Sequence, residues 1–574
     1  MTKEPSASFI DAVWSKARSG DEAAGVHFFR AQQGDYISLP YVEFLRRSFA
    51  LAKRLPPRSS EERRILLIAA NQPSVTLLAF FAALCTGTLP LVLPSAKALG
   101  SPAALAECLQ NLASELSGYA SVALEEGVLP SDAVLPDMPI VRLPPQLDDY
   151  PAQLYPSTAF GRDPGDIAFL QMTSASTGRS KLLAISHANI SANLEAIRDT
   201  LHGGAHESVA SWLPLCHDMG LVGTTLFSFF HGYPLYVMSP AEFVKRPSRW
   251  LRTMSEKRCT MTAAPNFGFE YAERFVTEQE LQGLDLSGLR AAMIGAEPIR
   301  LSTLEAFLSR FSGVGFRAQS FVPSYGLAES TLAVALDGEP VSPRVAKVAL
   351  RELLPGHPVR VLAEGRLGVG DIQAVDGVSI ISVGRVVAGL TFELLDDDGV
   401  AVSGEGRLGE IVLRGSSLSL GYFDVERGPE PFERGALRTG DLGFVLNGEL
   451  FVVERKKNVI IRNGRNFAAS LLEDKVAAIL DRSPQDVVVL DENIHDPASK
   501  IVAIVENYMG PSELPGESLS ALRALDLPIS ELRIARKRVI PRTTSGKKKY
   551  YLCRQRLVDP NTLYSQILSL AGAE

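Results

Sequence analysis

The chain has 574 residues, 46% of them hydrophobic and 21% charged, with a formal net charge of −7. That balance argues against long disorder, and with no basic block beyond a cluster near Lys547 it excludes nucleic acid as the main partner. At roughly 100–200 residues per domain the length calls for at least two folding units, and three or four at ordinary size.

The first residues, MTKEPSASFIDAVW, carry acids and a proline where a signal peptide needs a basic end and an apolar run. The segment SVTLLAFFAALCTGTLPLVLP is interrupted by Gly87 and Pro90 before the roughly 20 residues that a membrane span requires. Five scattered cysteines, none in metal-ligand spacing, fit a reducing, cytoplasmic setting.

In chain order, RILLIAA (64–70) reads as a buried strand, followed by a helix beginning near Pro73 and ending near Gly87, and then the strand PLVLP. Further strands are predicted in GYPLYVM (232–238), RCTMTAAP (258–265), RAAMIGAEP (290–298) and FRAQSFVPSYG (316–326). Strands separated by helical stretches predict a parallel α/β sheet covered by helices on both faces. Beyond about residue 335, VSIISVGR, LTFELLDDDGVAV and GEIVLRG predict a smaller antiparallel β unit. After GELFVVERKKNVIIRNG, close to Arg455–Lys457, the remaining residues read as a separate small α+β domain.

Several strand ends carry groups suited to a phosphorylated guest. LQMTSASTGRSKLL (170–183) follows a strand and offers the hydroxyls of Thr173, Ser174, Ser176 and Thr177, the close approach allowed by Gly178, and the charge of Lys181. The competing reading is a polar loop capping the helix in SHANISANLEAI. The pattern is not a Walker loop. SWLPLCHDMGL (211–221) sets His217 and Asp218 between apolar flanks, either along a substrate tunnel or as a capped helix start. MIGAEPI (293–299) ends a strand in small residues against which a flat ring can lie, and PSYGLAES (323–330) pairs Tyr325 with Glu329. Ligands of open α/β sheets gather at such strand ends. Asp441, in LRTGD, is suited to chelating two vicinal ribose hydroxyls, and Arg455 to reaching ribose or phosphate oxygens. PRTTSGKKKYY (541–551) places Lys547 on a glycine-containing loop, where a plain basic tail is the alternative.

Taken together and in this order, TSASTGRSK, SYGLAES, RTGD, ERKKNVI and PRTTSGK resemble the adenylate-forming superfamily of acyl-CoA synthetases, luciferases and peptide-synthetase adenylation domains. SWLPLCHDMGL, APNFGFEYA, GAEPI and GRN look most like its fatty acyl-AMP ligases. The resemblance covers nearly the whole chain. It implies a large N-terminal domain over 1–454, built of two α/β subdomains and a small β-barrel-like one, with an insertion at about 340–378 that hinders domain rotation. A hinge at 455–457 and a mobile α+β domain over 458–574 complete the expected organisation.

The implied activity joins a fatty or other carboxylic acid to ATP, with Mg²⁺, and passes the acyl group to the phosphopantetheine arm of an acyl carrier protein. The implied roles put Thr173 through Gly178, with Lys181, around the β- and γ-phosphates. Gly295, Ala296 and Glu297 border the adenine, Tyr325 stacks beside it, and Ser324 and Gly326 flank the nucleotide. Glu329 and Thr173 serve Mg²⁺, Asp441 the ribose hydroxyls, and Arg455 the ribose or phosphate. Lys457 is the pivot. Lys547 meets the carboxylate and α-phosphate, with His217 and Glu329 as further catalytic groups. An apolar acyl wall is expected around Trp212, Met219 and Phe267. Ala175, Ser180, Leu182 and Asn458 depart from the family pattern, where glycine, proline, glycine and aspartate are usual. A conventional acyl-CoA synthetase and a non-catalytic carrier-binding paralogue are the rival readings.

Overall fold

Five consecutive apolar residues build the strand Ile65–Ala69, every one of them buried. The helix Pro73–Thr86 follows it, with proline in its first turn and Gly87 at φ 73° closing its end, a left-handed conformation that suits glycine. Its residues from Ser74 to Cys85 are all buried, so this apolar helix belongs to the core. No described helix is long and apolar enough to cross a membrane. The structure, a computed structural model, describes residues 7–570 apart from 20–23, 57–63, 117, 136, 153–159, 174–180, 350–353, 371, 373–374, 376, 425, 463–464, 494–498, 508–515, 525–526, 536–537, 544–545, 560–561 and 563.

Ile65–Ala69 lies inside a four-stranded parallel sheet, between Leu89–Val92 and Ala120–Glu125, with Ile140–Leu143 at the edge. A second, nine-stranded sheet holds Leu235–Val237, Val209–Ser211, Met261–Ala264, Ala291–Ile294 and Phe321–Gly326 side by side and parallel. The strand–helix alternation therefore yields two sheets, in keeping with the two α/β subdomains that the resemblance implies. The hairpin Gly25–Arg30 and Asp35–Pro40, which carries no strong strand signal, completes the far edge of the larger one.

The antiparallel unit is present as a ladder of Leu390–Leu395, Gly409–Gly415, Leu437–Leu446 and Glu449–Arg455. The region of the expected insertion forms its own small sheet, with Arg344–Val348 between Val361–Arg366 and Val378–Ile381. The smaller C-terminal domain contains the hairpin Val459–Arg462 and Arg465–Ala468, the helix Ala469–Ile479, and a four-stranded sheet from Val487–Asp491 to Gln566–Ser569. One buried apolar cluster runs from Leu442, Phe444 and Phe451 of the ladder into Ile460, Leu472 and Val487, so the two domains share a packed boundary.

Candidate active site

The site begins where two parallel strands end side by side. Ile294 pairs with Pro323, and just beyond it a Cβ on Gly295 would stand 2.4 Å from the Ser324 carbonyl oxygen. Only glycine fits that approach. Ala296 follows at φ 71°, a strained setting for a residue with a Cβ and one that clusters at functional sites.

The facing wall comes from the antiparallel ladder, where Asp441 and Arg455 are paired across neighbouring strands. The Tyr325 hydroxyl donates to Asp441 Oδ2 at 2.7 Å, and Arg455 Nε donates to Oδ1 at 2.9 Å. Each carboxylate oxygen keeps acceptor capacity for a further hydroxyl. Burial, then the Asp441 charge, holds the Tyr325 phenol far above its usual range, so it stays protonated and able to donate.

Glu329 lies behind this triad. Burial, reinforced by the charges of Asp218 and Asp441, raises its carboxyl above the usual carboxylate range. Tyr422 donates its hydroxyl to Glu329 at 3.4 Å, and the Lys181 ammonium sits 4.3 Å from the centre of the Tyr422 ring. Thr173 and Lys181 close the base of the hydroxyl-rich loop through a 2.9 Å backbone bond from Thr173 N to Lys181 O. Ser174, Ser176, Thr177 and Gly178, with Ala175 and Ser180, lie outside the described residues. The strands that flank the loop, Ile167–Met172 and Leu182–Ser186, are antiparallel, and the N-cap of the next helix lies beyond it. That N-cap is Ser186, in a capping box with Asn189.

Asp218 caps its own helix by accepting from Met219 N at 2.8 Å, as the plainer reading of SWLPLCHDMGL holds, yet it also lines the cavity with His217. The helix is a π-helix over Met219–Leu226, a form frequent at functional sites. Its Gly220 carbonyl accepts from both Thr224 and Thr225 hydroxyls, at 2.8 and 2.9 Å.

Burial lowers the His217 imidazole to about 4, opposed by Asp218 and assisted by Lys547. It takes up a proton only as the pH falls through about 4, so it is neutral in the ordinary working range of an enzyme. We therefore expect His217→Asn to keep the wild-type shape of the activity profile on both sides of neutral pH, whatever its height. A wild-type inflection near the ordinary histidine range that vanishes in the variant would contradict this assignment.

The C-terminal domain supplies the last wall. Gly546, at φ 88°, brings the PRTTSGK loop to 4.0 Å from Phe267 Cβ, measured from a Cβ built on the glycine. Lys547 thereby lines the same cavity, of about 410 Å³, as Tyr325, Asp441 and Arg455. The boundary segment is strapped by buried Glu454, which accepts from Arg455 N at 2.8 Å, Asn458 Nδ2 at 3.3 Å and Ser470 N at 2.9 Å. An aspartate at 458 would meet Glu454 with like charge, which accounts for the asparagine there. Burial and then Arg455 lower the Lys457 ammonium below its usual range.

Thr173, Glu329 and Lys457 also line the cavity, as do Gly295, Ala296, Glu297, Ser324 and Gly326. Lys181 does not line it. Of the expected acyl wall only Met219 lines it. Trp212 is stacked on Phe243 at 3.9 Å, with Phe267 edge-on, in a neighbouring aromatic cluster. Met219, Gly223, Ile197, Leu332 and Leu336 are among the cavity's apolar lining. Sequence reading missed Tyr422 and Gln171. Gln171 lines the cavity and donates to the Cys216 carbonyl at 2.8 Å.

These features coincide with what comparison with known proteins finds. The AMP-binding enzyme family matches residues 14–423, and the chain belongs to that family, the adenylate-forming superfamily. Its likeness falls on the fatty acyl-AMP ligase branch. It is 30% identical over 423 residues to the medium-chain-fatty-acid–[acyl-carrier-protein] ligase TtuA of Teredinibacter turnerae, a match covering 69% of this chain and 64% of that protein, just under two thirds of the relative's length. It is 31% identical to the long-chain-fatty-acid–AMP ligase FadD26 of Mycobacterium marinum, covering 71% of each. A solved chain from work on fatty acyl-adenylate ligases of E. coli and L. pneumophila superposes with a TM-score of 0.79 at 29% identity, over 96% of this chain and 97% of that one.

Proposed function

We propose that the protein is a fatty acyl-AMP ligase. It activates a fatty acid with ATP to acyl-adenylate, releases pyrophosphate, and delivers the acyl group to the phosphopantetheine thiol of an acyl carrier protein. The observation that carries this reading is one cavity lined together by a lysine of the small domain, the Tyr325–Asp441–Arg455 triad and apolar side chains. Its size is within the range of small-molecule sites.

In this reading the adenine lies on the Gly295–Glu297 turn beside Tyr325, and the free acceptor capacity of Asp441 takes the ribose hydroxyls. An oxygen of the fatty carboxylate attacks the α-phosphorus in line, and the phosphorus–oxygen bond to pyrophosphate breaks. Both reactants are anionic, so the site must neutralise charge before they meet. Lys547 does so at the reacting oxygens, and the cavity walls fix the approach. In the second step the thiol sulfur attacks the acyl carbon and AMP leaves.

Mg²⁺ fits the acidic side of the cavity. Glu329 is buried beside the charges of Asp218 and Asp441, which a cation would offset, and Thr173 adds a hydroxyl. Among the described residues no three His, Cys, Asp or Glu side chains form a metal cage. Bound there, Mg²⁺ would supply charge neutralisation and share its coordination with phosphate oxygens and water, as it usually does. We also assign residues 1–454 to the N-terminal domain, 455–457 to the hinge and 458–574 to the mobile domain, on the change of sheet and the Glu454 strap. A cytoplasmic setting is supported by the five cysteines, all free thiols.

A panel of carboxylic acids incubated with ATP and the protein, with and without CoA or a phosphopantetheinylated carrier, tests this reading by mass spectrometry. Acyl-adenylate from alkyl acids, discharged onto the carrier and not onto CoA, is expected. Thioester formed with CoA as fast as adenylate would make the protein an acyl-CoA synthetase. Absence of adenylate from every acid would favour the non-catalytic paralogue.

A further inference from the structure

Three consecutive lysines, Lys547 to Lys549, follow PRTTSG, and the resemblance gives a role to Lys547 but none to Lys548. The Lys548 side chain is 5% exposed and its partner Glu473 only 1%. Its ammonium donates to Glu473 Oε2 at 2.6 Å, to the Pro484 carbonyl at 2.7 Å and to the Val487 carbonyl. An ammonium has three donors, and all three are used. Lys548 has none left for a substrate.

Glu473 in turn accepts on Oε1 from the Tyr550 hydroxyl at 2.9 Å and from Val489 N at 3.1 Å. The segment that follows Lys547 is therefore anchored to the helix Ala469–Ile479 through one buried carboxylate. Lys547 itself is held by its N–H donating to Thr543 Oγ1 at 3.0 Å, and its carbonyl accepts from Thr543 N at 2.7 Å. Lys548 bridges Arg542 in an antiparallel pair. In such extended backbone neighbouring side chains face opposite ways, so seating Lys548 on Glu473 sets the direction of Lys547; both lysines border the cavity, Lys548 with its ammonium already committed.

The same helix is tied to the large domain. Asp474, next to Glu473, accepts from buried Arg300 Nε at 2.9 Å. Gln485 donates to Glu297 Oε2 at 3.0 Å and Ser483 to Glu270 Oε2 at 3.1 Å. Glu297 belongs to the strand-end turn that carries Gly295, so the short turn Pro484–Asp486, whose Pro484 carbonyl also accepts from Lys548, is registered against the proposed adenine shelf.

We propose that Lys548 is the positioning residue for Lys547: its buried, fully bonded ammonium locks the loop to the helix Ala469–Ile479 and so aims the neighbouring lysine at the α-phosphate. This rests on the adenylate-forming reading above. It assigns the pair different work, one cation for the chemistry and one for its placement.

The test uses the full chain with the double substitution Glu473→Gln and Lys548→Met. It removes both charges together and leaves no buried ion unpaired, while the oxygen of the introduced amide still accepts from Tyr550 and Val489. Acid-dependent ATP–pyrophosphate exchange should lose roughly 10²-fold in kcat, the loss that a misplaced reacting group of about 1 Å brings. KM for ATP should stay within about twofold, because the ribose and adenine contacts are untouched. Transfer from supplied acyl-adenylate to the carrier thiol, which passes through no five-coordinate phosphorus, should stay near the wild-type rate. Exchange at the wild-type level in the double variant, or equal loss of both half-reactions, would overturn the positioning role. A wild-type protein without exchange would overturn the underlying activity as well, so the two failures are told apart.

Discussion

Lys547→Ala should lower acid-dependent ATP–pyrophosphate exchange by about 10²–10³-fold, the usual cost of removing one donor from a charge-developing transition state. The expectation follows from where the lysine sits. It lines the same cavity as the Asp441 triad although the two are far apart in the chain, and its charge is felt by the buried imidazole of His217. Its own backbone is fixed by Thr543 through main-chain groups, so truncating the side chain should leave the fold intact. Nucleotide affinity should change little, because Lys547 acts where pyrophosphate departs. Near-normal exchange by this variant would remove the small domain from the chemistry.

Asp441→Asn should raise KM for ATP and cut kcat/KM for ATP by roughly 10²-fold or more, since hydrogen bonds to a charged group are each worth about 1.5–3 kcal/mol. The substitution preserves shape, but an amide nitrogen cannot accept. Tyr325 and Arg455 both donate to this carboxylate, so one of them loses its acceptor together with a ribose hydroxyl. KM for the acid should not move, because Asp441 is assigned to the ribose and not to the acyl chain. Initial rates at varied ATP and fixed acid check this. An unchanged KM for ATP with a raised KM for the acid would place Asp441 at the wrong substrate.

Most of this site is legible in the sequence because its residues cluster at strand ends. A buried apolar run that stops in glycine, as MIGAEP and SYGLAES do, announces both the strand and the opening beyond it. What stays hidden depends on pairings between distant segments. Tyr422 reaches Glu329 only because the strand Tyr422–Asp424 pairs with Leu182–Ser186, and no local pattern encodes that pairing. The charges in SLLEDKV read as an ordinary solvated helix face, yet Glu473 is buried by Lys548 and Tyr550 arriving from near the end of the chain. Lys181, read as a phosphate ligand, stands over an aromatic ring. Trp212 suits an acyl wall by being apolar and close to His217 in sequence, but the stack with Phe243 turns it into core. The π-helix over Met219–Leu226 leaves no hydrophobic periodicity to detect, since nearly every residue in it is buried.

The most direct test of the account uses a fatty acid labelled with ¹⁸O in both carboxylate oxygens, turned over with ATP and the carrier, with the phosphate products read by mass spectrometry. Attack of the carboxylate on the α-phosphorus followed by cleavage at the acyl carbon must leave one ¹⁸O in AMP and none in pyrophosphate. Unlabelled AMP, or label in ADP or inorganic phosphate, would show that the acid never reaches the α-phosphorus and would contradict the account at its centre.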